Sequence, residues 1–218
     1  MKTRGTSPQR RRTNLKSVVV PGHCPFSIDL PNEWHALPPV GDLLDAGWVH
    51  RWLAPRHFAD AERTSLTLEL PSVARFIRSQ FALDQVWFAM LEPSGRGGVR
   101  ALISLVAYDS HGLTAPVAHK RLDDSAASEV DVDILTRQSV QDTLAGFPAV
   151  IVHDLIMLAD DAGPALSERY VGMVFPEFAP ITVQLEIQAP DLGAFDDVVA
   201  AANDVLDGLR FLQAAPTH

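Results

Sequence analysis

The stretch FSIDLPNEW, residues 26–34, decides how this chain is read. Phe26, Ile28 and Leu30 alternate with Ser27 and Asp29, the period of a strand buried on one face. Pro31 has no N–H to give a ladder, so the strand ends there. Asn32 and Glu33 then make a turn, and Trp34 falls where an indole can cover the end of a sheet.

The segments around it supply further strands. Val86 to Leu91 and Val99 to Tyr108 flank Pro93-Ser94-Gly95-Arg96-Gly97-Gly98, which reads as a hairpin because its glycines tolerate positive φ. Gly146-Phe147-Pro148 is a turn before an apolar strand from Ala149 to Leu158. Glu168 to Phe175 and Ile181 to Ile187 follow as strands. Thr182, Gln184 and Glu186 alternate with apolar residues, so one face of the last strand meets solvent. Trp48 to Leu53 (WVHRWL) reads as a strand, as does the alternation of Leu66, Leu68 and Leu70. A helix then starts at Pro71-Ser72 and carries Val73, Phe76, Ile77 and Phe81 at helical spacing.

Residues 36–47 read as a loop with one helical turn. Residues 109–128 read as a long loop leading into a helix near 129–138, anchored by Ile134 and Leu135. Phe195 to Phe211 reads as one helix with an apolar stripe of Phe195, Val198, Val199, Ala202, Leu206 and Leu209. Its first turn holds Asp196 and Asp197, which favours the helix dipole. Strand meanders broken by a few helices give an α+β fold, an antiparallel sheet flanked by helices. No regular βαβ alternation supports a doubly wound sheet.

The 218 residues, 47% hydrophobic and 21% charged, suit one globular domain that needs no metal or disulfide for stability. Cys24 is the single cysteine, so an internal disulfide and a multi-cysteine zinc site are excluded. Lys2, Arg4, Arg10, Arg11, Arg12 and Lys16 lie in an acid-free opening, leaving −15 on the remainder once these six charges are taken from the formal net −9. An acidic body repels nucleic acid and anionic membrane. The expected organisation is a basic, disordered leader over 1–22, one domain over 23–213 and a short tail over 214–218. Arg11-Arg12 and Cys24 hint at export signals. Only Val18, Val19 and Val20 stand where an apolar core of 7–15 residues is needed, so a cytoplasmic location is expected.

Catalytic signatures are absent: there is no G-x-S-x-G elbow, P-loop, H-E-x-x-H or dinucleotide glycine pattern. The eight histidines (His23, His35, His50, His57, His111, His119, His153 and His218) include no pair at the i, i+4 spacing of a helical metal site. His153-Asp154 would make an oriented base, but adjacent strand residues point to opposite faces. The acidic cluster Asp123, Asp124, Glu129, Asp131 and Asp133 lacks the glycine and terminal glutamate of a calcium loop. No catalytic residue, metal or cofactor is therefore expected. Trp34, Trp48, Trp52 and Trp87 are the candidate ligand-binding residues, because indoles give large apolar contact with a polar handle.

On three spaced features the chain resembles the PsbP-like superfamily, in pattern most like actinobacterial LpqN-type proteins. They are Phe26-Ser27-Ile28-Asp29-Leu30-Pro31 with Trp34, the Gly146-Phe147-Pro148-Ala149 turn into a strand, and the ending. In that ending Tyr170-to-Phe175 and Ile181-to-Ile187 precede a helix closing on Leu209-Arg210-Phe211. The superfamily includes the extrinsic photosystem II protein, a Ran-binding nuclear import factor and LpqN-type lipoproteins. The resemblance implies an antiparallel sheet flanked by helices, no shared catalytic residues, and a role as an accessory or binding module. The expected function is recognition of a protein partner. The alternative is a carrier of a lipid or metabolite in a tryptophan-lined groove.

Overall fold

The computed structural model describes residues 15–20, 26–31, 33–79, 85–91, 98–125, 133–160, 163–189 and 192–211. The expected tail over 214–218 and Cys24 lie outside them, as does most of the leader. Leu15–Val20, which the sequence places in that leader, is a strand (β1) paired antiparallel with β2 (Phe26–Pro31). With β10 (Leu209–Phe211) on the other side of β2, they form a three-stranded sheet.

The larger sheet has seven strands, all paired antiparallel. They are β3 (Trp34–Ala36), β4 (Val86–Leu91), β5 (Val99–Asp109), β6 (Asp133–Leu144), β7 (Phe147–Asp160), β8 (Gly163–Val174) and β9 (Ile181–Ala189). Their spatial order is β3-β4-β5-β9-β8-β7-β6. The α+β expectation with an antiparallel sheet holds.

Sheet register sorts the side chains. One face carries Phe88, Ile103, Leu105, Val183, Leu185 and Ile187, which join Phe26, Ile28 and Leu30 of β2 and the helix α4 (Val198–Leu206) in the main core. The other face is covered at its β4 end by α1 (Trp48–Leu53) and α2 (Asp60–Ser79), and over β7 and β8 by α3 (Ala115–Ser125). Between these layers Gln184 and Glu186 are half-buried, as a solvent-facing strand side requires. Thr182 instead is fully buried, its hydroxyl without a hydrogen-bond partner among the described residues.

Four expectations are corrected. Trp48 to Leu53 is a helix, not a strand: Trp48, Val49, Trp52 and Leu53 are buried while His50 and Arg51 face water, the i, i+4 pattern of an amphipathic turn. Leu66 and Leu70 are buried with Leu68 76% exposed, so they too lie on a helix. It runs through Pro71, where the missing N–H falls on an exposed position. Of the helix expected near 129–138, residues 133–138 belong to the strand β6 and 129–132 lie outside the described residues, while the loop before it contains α3.

Finally, the long terminal helix stops at Leu206 and the chain turns into β10. Gly208 allows this turn: a Cβ there would stand 2.5 Å from the Asp29 carbonyl oxygen, and Asp29 N–H bonds to the Gly208 carbonyl at 3.1 Å. At the other end of α4, Asp197 caps the helix, its carboxylate accepting from Ala200 N–H at 2.9 Å. Among the described residues no helix is long and apolar enough to cross a membrane.

Candidate functional site

The four tryptophans are buried to within 4–6% of their surface and divide between two cores. Trp34 stacks on Phe195 with ring centroids 6.4 Å apart. Trp48, Trp52 and Trp87 join the layer under α1 and α2, where Phe76 meets Trp87 edge-on at 6.0 Å. Trp34 still borders one open cleft of about 490 Å³, and Trp48 and Trp52 border a second of similar volume. Trp87 borders neither of these clefts.

Arg56, unremarked in the sequence, lines both clefts. Its guanidinium lies 3.9 Å over the Trp52 ring and Nη1 donates to the Trp52 carbonyl, a cation–π contact backed by a hydrogen bond. Trp52 Nε1 donates to the Ala36 carbonyl at 2.7 Å, tying α1 to β3. Arg63 Nη2 donates to the Arg56 carbonyl at 3.1 Å and holds the connection between α1 and α2. Burial pulls the Arg56 pKa below its ordinary value. The nearby Arg51 instead pairs with Asp45 at 2.8 Å.

A second feature gathers residues far apart in sequence. Phe147 opens β7 directly after the Ala145–Gly146 turn, Phe178 lies between β8 and β9, and Phe211 ends β10. Their ring centroids are 5.6, 5.2 and 5.1 Å apart, with interplanar angles of 67°, 89° and 80°, edge-to-face packing on all three sides. Phe26 lies beside this cluster, 6.3 Å from Phe211. Phe178 is 60% exposed, while Phe147 and Phe211 are half-buried. A core aromatic is normally covered, so a cluster left open to water is a candidate contact surface.

The expected His153-Asp154 geometry is also visible. Asp154 points under α3, fully buried, and holds Arg137 and Arg169 from the two neighbouring strands. Arg137 Nε and Nη2 donate at 2.7 and 2.8 Å, and Arg169 Nη2 and Nε at 2.7 and 3.1 Å. Burial acts to raise the Asp154 pKa, but the hydrogen bonds and charges of the two arginines prevail and hold it below 3.8. His153 faces the opposite side, 3.2 Å from Glu168. The pair is therefore no catalytic dyad, and Asp154 is an ionic cross-link between three strands. Among the described residues no three His, Cys, Asp or Glu side chains converge as a metal site.

Comparison with known proteins gives likeness of fold alone. No family model matches the chain, and no curated protein matches its sequence. Among solved structures it is similar to LpqN of Mycobacterium tuberculosis, described as involved in cell envelope biogenesis, at 13% identity and TM-score 0.43, over 93% of this chain and 94% of that one. Cyanobacterial PsbP from Synechocystis is similar at 10% identity and TM-score 0.42, over 95% and 98% of the two chains. A Bacteroides thetaiotaomicron protein is similar at 9% identity and TM-score 0.42, over 86% of this chain, which spans only 45% of that one. The PsbP-like resemblance read from the sequence recurs in the first two. Likeness at this level carries no argument about function.

Proposed function

We propose that this chain is a non-catalytic binding module that recognises a protein partner through the Phe147–Phe178–Phe211 face. The observation that carries the reading is the open aromatic triad, with Phe178 60% exposed and its ring packed edge-on against two others. Aromatics of this kind are the residues that anchor protein interfaces, because they bring large area at little entropic cost. Residues after the basic opening carry a net −15, so the fitting partner presents an apolar side chain inside a cationic rim.

The test is photo-crosslinking from position 178, with a probe at position 68 as the control because Leu68 is also exposed. A partner captured from 178 and not from 68, and still captured after deletion of residues 1–14, supports the reading. Equal capture from both positions overturns it. A small-ligand carrier is the second reading, and the observation favouring it is the cleft beside Arg56.

A further inference from the structure

The cleft between β3 and the α1–α2 connection has two chemically distinct linings. Leu30, Trp34 and Phe58 supply apolar wall, and His35, Arg56 and His57 supply basic nitrogen. Among the described residues no carboxylate lines it, although the residues after the basic opening carry a net −15. Arg56 is half-buried, and among the described residues its guanidinium makes no ion pair; its hydrogen bond goes to a backbone carbonyl. Arg137 and Arg169, more deeply buried, share the Asp154 carboxylate. Desolvating a cation without an anion is costly. An arrangement that keeps such a cation at the wall of a cleft of about 490 Å³ is suited to receive a negative charge from outside, and the volume is that of a small-ligand site.

We infer that this cleft binds an apolar monocarboxylate, its carboxylate on Arg56 between His35 and His57 and its hydrocarbon against Leu30, Trp34 and Phe58. One fixed cation matches one negative charge, and the planar guanidinium suits the two carboxylate oxygens. The apolar wall is what distinguishes this ligand from a small inorganic anion. The inference is independent of the aromatic face, which is built on other elements.

The probe is ω-bromoundecanoate, whose bromine quenches indole fluorescence on contact, with ω-bromoundecanol as its neutral twin, both below their micelle thresholds. Saturable quenching by the acid at a Kd at least tenfold below that of the alcohol is expected. Arg56→Gln should raise the Kd of the acid about ten- to hundredfold, as loss of a charge-assisted bond does, and leave that of the alcohol unchanged. His57→Gln, at an exposed position, should raise the Kd of the acid severalfold without lowering the melting temperature; it carries the test if Arg56→Gln does not fold. Equal affinity for acid and alcohol, no saturable quenching, or unchanged affinity in a folded Arg56→Gln or His57→Gln protein would overturn the inference. Failure here leaves the partner face untouched, because crosslinking from position 178 does not involve this cleft.

Discussion

Asp154→Asn keeps the shape of a fully buried side chain and removes its charge. The native carboxylate accepts four hydrogen bonds from two guanidiniums whose side chains are only 7% and 15% exposed. Asparagine offers one oxygen and turns an NH₂ group toward donors, so two buried cations lose their anion. Breaking a buried ionic cluster from one side costs about 3–5 kcal/mol. Urea unfolding followed by circular dichroism should show that loss as a lower midpoint with an unchanged slope.

The pH dependence has a fixed sign. The folded state holds the Asp154 pKa below 3.8, so on acidification the unfolded chain takes up its proton first. The contribution of the carboxylate is complete above the unfolded value and disappears as pH falls through the folded one. The stability gap between wild type and Asp154→Asn should therefore be flat from about pH 5 to 8 and shrink below about pH 4. A gap under about 1 kcal/mol at neutral pH, or one that widens in acid, would refute the argument.

Two further substitutions probe the backbone devices. Gly208→Ala drives a methyl into the Asp29 backbone at 2.5 Å and disturbs the 3.1 Å bond between them. It should cost about 2–4 kcal/mol in urea unfolding, whereas a loss below about 1 kcal/mol would mean that the α4–β10 turn is not so tight. Ala145 sits at φ 50° beside Gly146 at φ 83° in the two-residue turn between β6 and β7. Such turns favour glycine or asparagine, so Ala145→Gly should stabilise by about 0.5–1 kcal/mol, and a thermal melt showing destabilisation would contradict the strain.

Much of the sheet was legible because period-2 alternation survives wherever one strand face is buried. Phe26–Pro31 and Ile181–Ala189 are read correctly for that reason, whereas the β4–β5 pair, whose first strand VWFAML is apolar throughout, is read from the glycine-rich stretch between its strands. WVHRWL misleads because its six residues, which can be read as alternating, also contain two i, i+4 pairs, Trp48/Trp52 and Val49/Leu53, and only burial separates the periods. Leu66, Leu68 and Leu70 hide a helix in the same way. β6 is an edge strand, most of whose positions are exposed or half-buried, so no apolar pattern marks it. Of the candidate site residues, Trp34, Trp48 and Trp52 do border clefts. Arg56 carries no sequence signal beyond standing four residues after Trp52. The phenylalanine triad has none, because Phe147 lies on the larger sheet, Phe211 on the smaller one and Phe178 in the turn between β8 and β9, so they meet only in the folded chain.

The aromatic face is tested most directly by titrating the partner captured at position 178 against wild type and Phe178→Ala. Phe178 is largely exposed, so the substitution should leave the protein folded, with a melting temperature lowered by no more than its two edge-to-face contacts contribute. The account predicts that it weakens binding at least tenfold, about 1.4 kcal/mol, while Leu68→Ala has no effect. Equal affinity for wild type and Phe178→Ala would contradict it.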